Sequence, residues 1–238
     1  MERIQKVIAN SGYCSRRKAE ELIAEGKVKL NGKVVYELGT KVDKNDTIEV
    51  EGHALKEPNK VYYLLNKPRG IITSTSDDKG RKTVVDLIKS NIRIYPVGRL
   101  DYDTTGAILL TNDGELANLI MHPKSNIDKV YIAKVKGLIG KRQINALEQG
   151  VIIDGKKTSK SKARIKNYDK KSDTSIVELI IHEGRNHQVK KMFESIGYNV
   201  IKLKREKIAF LNVNDLKSGE YRKLNIKEVK KLYNEVSK

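Results

Sequence analysis

The stretch Gly98-Arg99-Leu100-Asp101-Tyr102-Asp103-Thr104-Thr105-Gly106 lies between two apolar runs, at residues 94–97 and 107–110. Both runs have the length and composition of strands, so the stretch between them is predicted to be a loop held at both ends. Loops positioned by a rigid scaffold often carry catalytic groups. The carboxylate of Asp101, beside Arg99, is therefore the first candidate for chemistry, although an aspartate in a loop commonly bonds to its own turn.

The composition indicates a polyanionic partner. The chain has 238 residues and a formal net charge of +18, and 38% of its residues are hydrophobic. This length suits two domains or one large one. Basicity of this order favours nucleic acid as the partner first and an anionic membrane surface second. No apolar run approaches the roughly 20 residues of a membrane-spanning helix, and we expect no signal peptide at the N-terminus.

Cysteine usage and histidine spacing argue against several chemistries. The single cysteine, Cys14, cannot form an intramolecular disulfide and fits a reducing cytoplasm. The four histidines show no metal-ligand spacing, and Walker, Rossmann and Gly-x-Ser-x-Gly patterns do not occur. Asp101 and Asp103 are separated by one residue, which is no basis for assuming a glycosidase pair. We therefore expect neither a metal nor a cofactor.

The first sixty residues are predicted to form a small unit of two helices and a curled sheet. Apolar residues within 4–8 have helical spacing, and Ser15 is placed to cap a second helix. Asn31-Gly32 is typical of a type I′ hairpin turn. The basic residues concentrate on the helices and the hairpin, with Arg16-Arg17-Lys18 at a helix start. Such a patch suits the phosphate backbone of a nucleic acid.

Three successive stretches of this region together form one domain pattern: Arg3-Ile4-Gln5-Lys6-Val7-Ile8-Ala9, Ser15-Arg16-Arg17-Lys18-Ala19-Glu20-Glu21-Leu22-Ile23 and Gly26-Lys27-Val28-Lys29-Leu30-Asn31-Gly32. The pattern closely resembles the αL-type RNA-binding domain first known from a small-subunit ribosomal protein. The resemblance implies that residues 1–60, with a linker at their end, dock on structured RNA. It implies that Arg16, Arg17 and Lys18 bind RNA, and it implies no catalysis.

Beyond a non-periodic segment at 51–60, the predicted linker, strands and helices are interleaved. This order predicts an α+β domain with a mostly antiparallel sheet over residues 61–238. The expected elements include strands at 71–73, 200–201 and 208–211 and a helix at 185–196. The segment 156–171 is very basic, and no element is predicted within it. The predicted fold class is thus α+β, with a small RNA-binding domain before a larger, mostly antiparallel-sheet domain.

Five motifs of the larger domain occur in order: Gly98-Arg99-Leu100-Asp101, Leu109-Leu110-Thr111-Asn112-Asp113-Gly114-Glu115-Leu116, His122-Pro123, Lys129-Val130-Tyr131 and Glu183-Gly184-Arg185-Asn186-His187-Gln188-Val189-Lys190-Lys191-Met192-Phe193. Together they resemble the RsuA/RluB branch of the pseudouridine synthases, and with the N-terminal region the resemblance covers nearly the whole chain. Residues 67–70, 77–82 and 95–104 look closest to the RluB type, whose substrate is 23S ribosomal RNA. The RsuA type, which acts on the small subunit, is the alternative.

The resemblance implies an activity and three catalytic residues. A target uridine is flipped from its RNA helix, its glycosidic bond is cleaved, and the rotated base is rejoined through C5. Asp101 is the expected nucleophile or sugar-directed base, and Lys190 the cation that keeps this carboxylate ionised. Tyr131 is expected to stack on uracil and assist proton removal from C5. Many relatives have arginine at the position of Lys190, and lysine keeps the charge but loses the bidentate fork.

The remaining expected RNA contacts are Arg99, which would fill the gap left by the flipped base, and Arg185 and Gln188 at the start of a basic helix. The expected partner is ribosomal RNA, 23S first, either free or in a pre-ribosomal particle. We expect a monomer in the cytoplasm with no membrane partner. The rival interpretation is a ribosome-assembly protein that binds RNA without catalysis, and the intact set of three candidate catalytic residues argues against it.

Overall fold

The computed structural model of the chain describes residues 1–122 and 125–236. Pro123 of the His122-Pro123 motif and residues 237–238 of the predicted larger domain lie outside the described residues. The helices, besides a 3₁₀ helix at Val85–Leu87, are α1 (Ile4–Asn10), α2 (Arg16–Ala24), α3 (Gly114–Met121), α4 (Lys141–Gln149), α5 (Gln188–Ser195) and α6 (Ile226–Val236). The strands are β1 (Glu2–Arg3), β2 (Val28–Leu30), β3 (Lys33–Val34), β4 (Lys41–Val42), β5 (Ile48–Val50), β6 (His53–Ala54), β7 (Tyr62–Lys67), β8 (Tyr95–Val97), β9 (Thr105–Thr111), β10 (Lys129–Lys136), β11 (Ile152–Ile153), β12 (Lys156–Lys157), β13 (Lys162–Asp169), β14 (Thr174–Ile181), β15 (Val200–Ile208), β16 (Leu211–Asn212) and β17 (Tyr221–Lys223).

The chain divides into two compact units. The smaller unit comprises residues 1–61 together with two short later segments, 90–94 and 111–114. The larger unit comprises residues 62–89, residues 95–110 and the chain from residue 115 onward. The smaller unit is therefore discontinuous in sequence.

Within the smaller unit, the segment at 111–114 holds the end of the predicted linker. Thr111 donates its hydroxyl to the Val61 carbonyl at 2.6 Å, and the Asn112 side chain accepts the Val61 amide at 2.8 Å. Asn112 also donates to the Asn59 carbonyl at 3.0 Å. Because these bonds satisfy the backbone of the incoming chain from both sides, they fix its path.

Local signals explain the smaller unit. The predicted cap is confirmed, since Ser15 Oγ accepts the Lys18 amide at 3.2 Å at the start of α2. The β2–β3 hairpin closes at Asn31 and Gly32, whose φ angles of 50° and 80° fit the predicted turn. Both helices and the strands share one apolar core, in which Ile8 and Ile23 are fully buried.

Part of the predicted linker is a strand, so its proposed start at residue 51 is wrong. β6 pairs with β5 in a four-stranded sheet of order β3-β2-β5-β6. The two strands join through Glu51 and Gly52, whose φ angles are 50° and 83°. A glutamate in the left-handed region is uncommon, which is why the sequence did not predict this turn.

The larger unit is built on a nine-stranded sheet, of order β13-β14-β10-β15-β9-β7-β17 with β16 beside β15 and β8 beside β9. Its registered pairs are antiparallel except for the parallel pair of β9 and β15. This confirms the predicted α+β fold with a mostly antiparallel sheet. One apolar cluster joins the sheet to α3 and α6 through side chains that include Leu109, Leu116 and Leu232.

Four expectations for the larger unit are wrong. Residues 71–73 form no strand and make one isolated bridge, between Ile72 and Thr83. The strand predicted at 200–201 is much longer, because β15 continues through its charged middle to Ile208 with Leu203 and Arg205 buried. The strand predicted at 208–211 is instead the turn that joins β15 to β16, and Ala209 within it has a φ of 52°. The predicted helix at 185–196 begins only at Gln188, since His187 before it has a φ of 53°.

The very basic segment at 156–171 also contains an element that the sequence did not predict. β13 is the edge strand of the sheet, and most of its side chains are exposed. An exposed edge strand lacks the apolar alternation by which strands are recognised. Among residues 1–122 and 125–236, no helix combines the length and the apolar character needed to span a membrane.

Candidate active site

The Asp101 loop, residues 98–104, connects β8 to β9, and its backbone is fixed at several points. Thr73 bonds to both backbone groups of Leu100, donating to the carbonyl at 2.7 Å and accepting from the amide at 3.3 Å. The Gly70 amide donates to the Tyr102 carbonyl at 2.8 Å. The predicted loop between two strands is confirmed, and side-chain and backbone contacts beyond those strands hold it as well.

Lys67, at the end of β7, supports the same loop through hydrogen bonds to backbone carbonyls. Its side chain is 0% exposed, and its ammonium donates to the carbonyls of Pro68 at 3.1 Å, Asp101 at 3.1 Å and Thr104 at 2.9 Å. These three acceptors match the three N–H donors of an ammonium group. Burial lowers the pKa of Lys67 to about 8, although the nearby carboxylates of Asp101 and Asp103 oppose this shift.

Lys190 lies on α5 and faces two carboxylates of the loop. Its Nζ is 2.6 Å from Asp103 Oδ1 and 3.3 Å from Asp101 Oδ2. The hydrogen bond from Lys190 lowers the pKa of Asp103, against the opposing effect of burial. Burial acts to lower the pKa of Lys190, but the hydrogen bond to Asp103 and the charge of Asp101 outweigh it, so this pKa is raised. The structure thus places Lys190 beside Asp101, as the sequence predicted, and closer still to Asp103, which the sequence did not predict.

His187 is a second group near the same carboxylate. Its Nδ1 lies 3.8 Å from Asp101 Oδ2, and its side chain is half exposed. The left-handed backbone at His187 turns the chain into α5. Because Lys190 follows on the first turn of that helix, one local conformation positions both residues toward Asp101.

Tyr131 lies on β10 directly opposite Arg205 on β15, and both side chains are buried. Arg205 Nη1 is 3.4 Å from the Tyr131 hydroxyl, and Arg205 Nε donates to the Ala107 carbonyl at 2.8 Å. Arg205 Nη2 has no hydrogen-bond partner among the described residues. An unpaired buried donor is costly, and at a reaction centre it can serve a substrate.

Gly106 allows β9 to lie close to the strand that carries Arg205. The two residues are register partners in the parallel pair of β9 and β15. A Cβ atom at position 106 would collide with the carbonyl oxygen of Arg205, and the φ of Gly106 is 106°. Only glycine fits this position without displacing the strand. The Asp101 loop, Arg205 and Tyr131 are therefore tied together through three adjacent strands.

Arg185 and Gln188, both predicted RNA contacts, are bonded within the protein. Gln188 is buried, accepts the Arg185 amide at 2.8 Å and donates to Glu183 at 2.6 Å. The Arg185 guanidinium donates to the carbonyls of Lys156 at 3.0 Å and Lys157 at 2.8 Å. These bonds secure the segment before α5, and an RNA-binding role for either residue stays a prediction.

The remaining predicted RNA contacts are exposed. Arg99 lies at the surface of the Asp101 loop in the larger unit. In the smaller unit, Arg16, Arg17 and Lys18 form the first turn of α2, and Lys18 pairs with Glu21 at 2.8 Å. Exposed cations of this kind are available to a phosphate backbone.

Sequence reasoning missed the two buried cations. The pattern at Lys67-Pro68-Arg69-Gly70 predicts a turn, whereas Lys67 is the last residue of β7, and nothing in a turn pattern distinguishes a buried lysine from an exposed one. For Arg205 a signal was available. Side chains two positions apart in a strand point to the same face, so the apolar Leu203 indicates that position 205 also faces inward.

Comparison with known proteins gives consistent matches over the whole length. The sequence pattern of the RNA pseudouridylate synthase family matches residues 61–195, and that of the S4 domain matches residues 2–48. The ribosomal large subunit pseudouridine synthase B of Bacillus subtilis is 59% identical over 234 residues, covering 98% of this chain and 96% of the relative. An uncharacterised RNA pseudouridine synthase of Aquifex aeolicus is 42% identical and covers 98% and 94%. A crystal structure of a pseudouridylate synthase superposes with a TM-score of 0.70 at 32% identity, covering 98% of this chain and all of that one.

Proposed function

The chain belongs to the RNA pseudouridylate synthase family, and on that basis we propose that it isomerises a specific uridine of 23S ribosomal RNA to pseudouridine. The large-subunit substrate is supported by the name of the 59% identical Bacillus relative. The observation that carries the catalytic proposal is the position of Lys190 Nζ, 3.3 Å from the carboxylate of Asp101 on a rigidly held loop.

The proposed reaction begins when the target uridine is flipped out of its helix into the site. The N1–C1′ bond breaks, the base rotates, a C5–C1′ bond forms, the hydrogen leaves C5, and N1 gains a proton. Asp101 acts as the nucleophile or as the base directed at the sugar, and the Lys190 ammonium, 3.3 Å away, holds its carboxylate in an ion pair. Tyr131 stacks on the uracil and assists removal of the C5 proton.

Two further residues act as positioning residues in this proposal. Lys67 fixes the carbonyls of Asp101 and Thr104 and so sets the direction of the Asp101 side chain. Arg205 orients the Tyr131 hydroxyl through the 3.4 Å contact. Preorganised groups of this kind reduce the rearrangement needed at the moment of reaction.

The proposed division of labour assigns RNA docking to residues 1–60 and catalysis to residues 61–238. In the first region, Arg16, Arg17 and Lys18 hold the phosphate backbone, and in the second Arg99 takes the place of the flipped base. The protein works as a cytoplasmic monomer on ribosomal RNA, without a cofactor.

The decisive experiment replaces the Asp101 carboxylate. Asp101→Asn keeps the size of the side chain and should abolish pseudouridine formation while leaving RNA affinity nearly intact. Asp78→Asn, an identical change at an exposed position, is the matched control and should keep full activity. Measurable turnover by Asp101→Asn would refute the assignment. Mapping pseudouridines in cells that lack the protein identifies the uridine and separates 23S from 16S substrates.

A further inference from the structure

In the part of the larger sheet formed by β13, β14, β10 and β15, one face carries partly exposed side chains and is unused by the proposed mechanism. Along β10, Tyr131, Ala133 and Val135 are buried, whereas Lys134 is half-buried and Lys136 is exposed. Successive side chains of a strand point to opposite faces. Lys134 and Lys136 therefore lie on the face of the sheet opposite to Tyr131.

The strand register extends this face over four neighbouring strands. Lys134 is the partner of Lys202, and Ile132 is the partner of both Lys204 and Glu178. Glu178 is in turn the partner of Arg164. We define the basic sheet face as the following side chains: Lys162, Arg164 and Lys166 of β13, Glu178 of β14, Lys134 and Lys136 of β10, and Lys202 and Lys204 of β15.

The charges of this face are only partly compensated. The Arg164 guanidinium donates two hydrogen bonds to the Glu178 carboxylate, at 2.6 Å and 3.1 Å, and Lys136 forms an ion pair with Asp173 at 3.5 Å. The central lysines, Lys134, Lys202 and Lys204, have no carboxylate within ion-pair distance among residues 1–122 and 125–236. Their charge is therefore free to act on a partner.

The arrangement of the central lysines costs stability in the free protein. Lys134 and Lys202 are directly opposite each other on adjacent strands, and like charges in this position destabilise a sheet. A bound polyanion would remove this repulsion. The chain has no tryptophan, and the face presents no aromatic side chain to insert into a lipid surface. The chemistry therefore favours phosphates presented by a nucleic acid over a membrane.

We propose that the basic sheet face binds the phosphate backbone of a second segment of the ribosomal RNA, separate from the segment whose uridine enters the active site. The proposal rests on the proposed function for the identity of the RNA. Adjacent strands are about 4.8 Å apart and alternate residues of one strand about 7 Å apart, so the central lysines form a compact charged patch. Phosphate contacts of this type add affinity and register without reading sequence.

The test is the salt dependence of binding to a full-length 23S rRNA transcript. The variant replaces the central lysines with glutamine: Lys134→Gln, Lys202→Gln and Lys204→Gln. Each lost phosphate contact lowers the log–log salt slope by about 0.7–0.9, so three contacts lower it by about 2.1–2.7. Between 50 and 200 mM salt, the affinity of the wild type should then fall about 20- to 40-fold more than that of the variant. The single-turnover rate at saturating enzyme should not change.

A matched control makes the same charge change on exposed lysines of β17 and α6: Lys223→Gln, Lys227→Gln and Lys230→Gln. The control should keep the wild-type slope. The melting temperature of the test variant should be equal to or above that of the wild type, because Lys134 no longer faces a like charge. If the triple variant does not fold, Lys202→Gln alone should show about a third of the slope change.

The outcomes are distinct from those that test the proposed function. A wild type that converts no uridine contradicts the proposed function, whatever its salt slope. Equal slopes for the wild type and the triple variant overturn the proposal for the basic sheet face. If the wild type and the triple variant have equal RNA slopes and only the variant fails to bind phosphatidylglycerol vesicles, the face binds an anionic membrane, and the proposal is also overturned.

Discussion

Replacing Lys67 with methionine tests how the Asp101 loop is held. Methionine keeps the unbranched stem in its slot but leaves the carbonyls of Pro68, Asp101 and Thr104 without their donor. The Asp101 carbonyl also accepts the Thr104 amide at 3.1 Å, so the variant leaves two acceptors unsatisfied, the carbonyls of Pro68 and Thr104. Each unsatisfied acceptor costs about 1–3 kcal/mol, or about 4 kcal/mol for the two. Removing a buried cation offsets about 3 kcal/mol of this, because the pKa of Lys67 is lowered from 10.5 to about 8. We expect a net loss of about 1 kcal/mol in the free energy of unfolding at neutral pH.

The same pKa predicts a pH dependence. Between pH 8 and 10.5 the unfolded chain holds a proton that the folded chain has released from Lys67. The free energy of unfolding of the wild type therefore rises with pH, by about 1.5 kcal/mol from this group between pH 8 and 9.5. Lys67→Met lacks this contribution, so the stability gap between wild type and variant should widen by that amount. Other titrating groups are present in both proteins and cancel.

Urea denaturation at several pH values, with single-turnover kinetics on the same samples, provides the measurement. The rate at saturating RNA should fall in Lys67→Met, because the Asp101 loop loses its support. Lys129→Met is the control: burial lowers the pKa of Lys129 to about 8 as well, but this lysine bonds to the carbonyl of His182 and not to the Asp101 loop. Parallel stability–pH curves for wild type and Lys67→Met, or an unchanged rate, would refute the reasoning.

Three other predictions concern the site and the docking residues. Lys190→Met should lower the single-turnover rate at saturating RNA, because the Asp101 carboxylate loses the cation that lies 3.3 Å from it, whereas Asp103→Asn should keep most of the rate. An unchanged saturated rate in Lys190→Met contradicts the ion-pair role. Arg205→Lys should lower the single-turnover rate at saturating RNA without changing RNA affinity. Adding Tyr131→Phe to this variant should lower the rate little further, since the two side chains act through one contact. If the rate losses of the two single variants add fully in the double variant, the contact does not carry the effect. Neutralising residues 16–18 should flatten the salt slope of RNA binding by about 0.7–0.9 per contact, and a collapse of the saturated rate would show that these residues do more than anchor RNA.

Signals confined to a few neighbouring residues were sufficient to predict much of the fold. Ser15 at a helix start and Asn31-Gly32 between two strands each act through the backbone of their own segment. Asp154-Gly155, a pair typical of hairpin turns, closes the turn between β11 and β12 in the same way, with φ angles of 50° and 74°. The Asp101 loop was identified because both of its flanking runs are apolar.

The features that were missed depend on contacts between distant segments. The middle of β15 is charged, so its continuity follows only from its neighbours β9 and β10. Lys67 is a buried residue because carbonyls more than thirty positions away converge on it. Lys190 Nζ lies 2.6 Å from the Asp103 carboxylate and 3.3 Å from that of Asp101. No residue pattern specifies a difference of 0.7 Å between two such distances.

The discontinuity of the smaller unit has a consequence for folding on the ribosome. Residues 1–61 leave the exit tunnel first, but the unit also requires the segments at 90–94 and 111–114. At a synthesis rate of about 5–20 residues per second, residue 114 follows residue 61 after roughly 3–10 s. During that interval the backbone at Asn59 and Val61 lacks the Thr111 and Asn112 side chains that later bond to it. The nascent chain therefore completes its first unit only after part of the second has been synthesised.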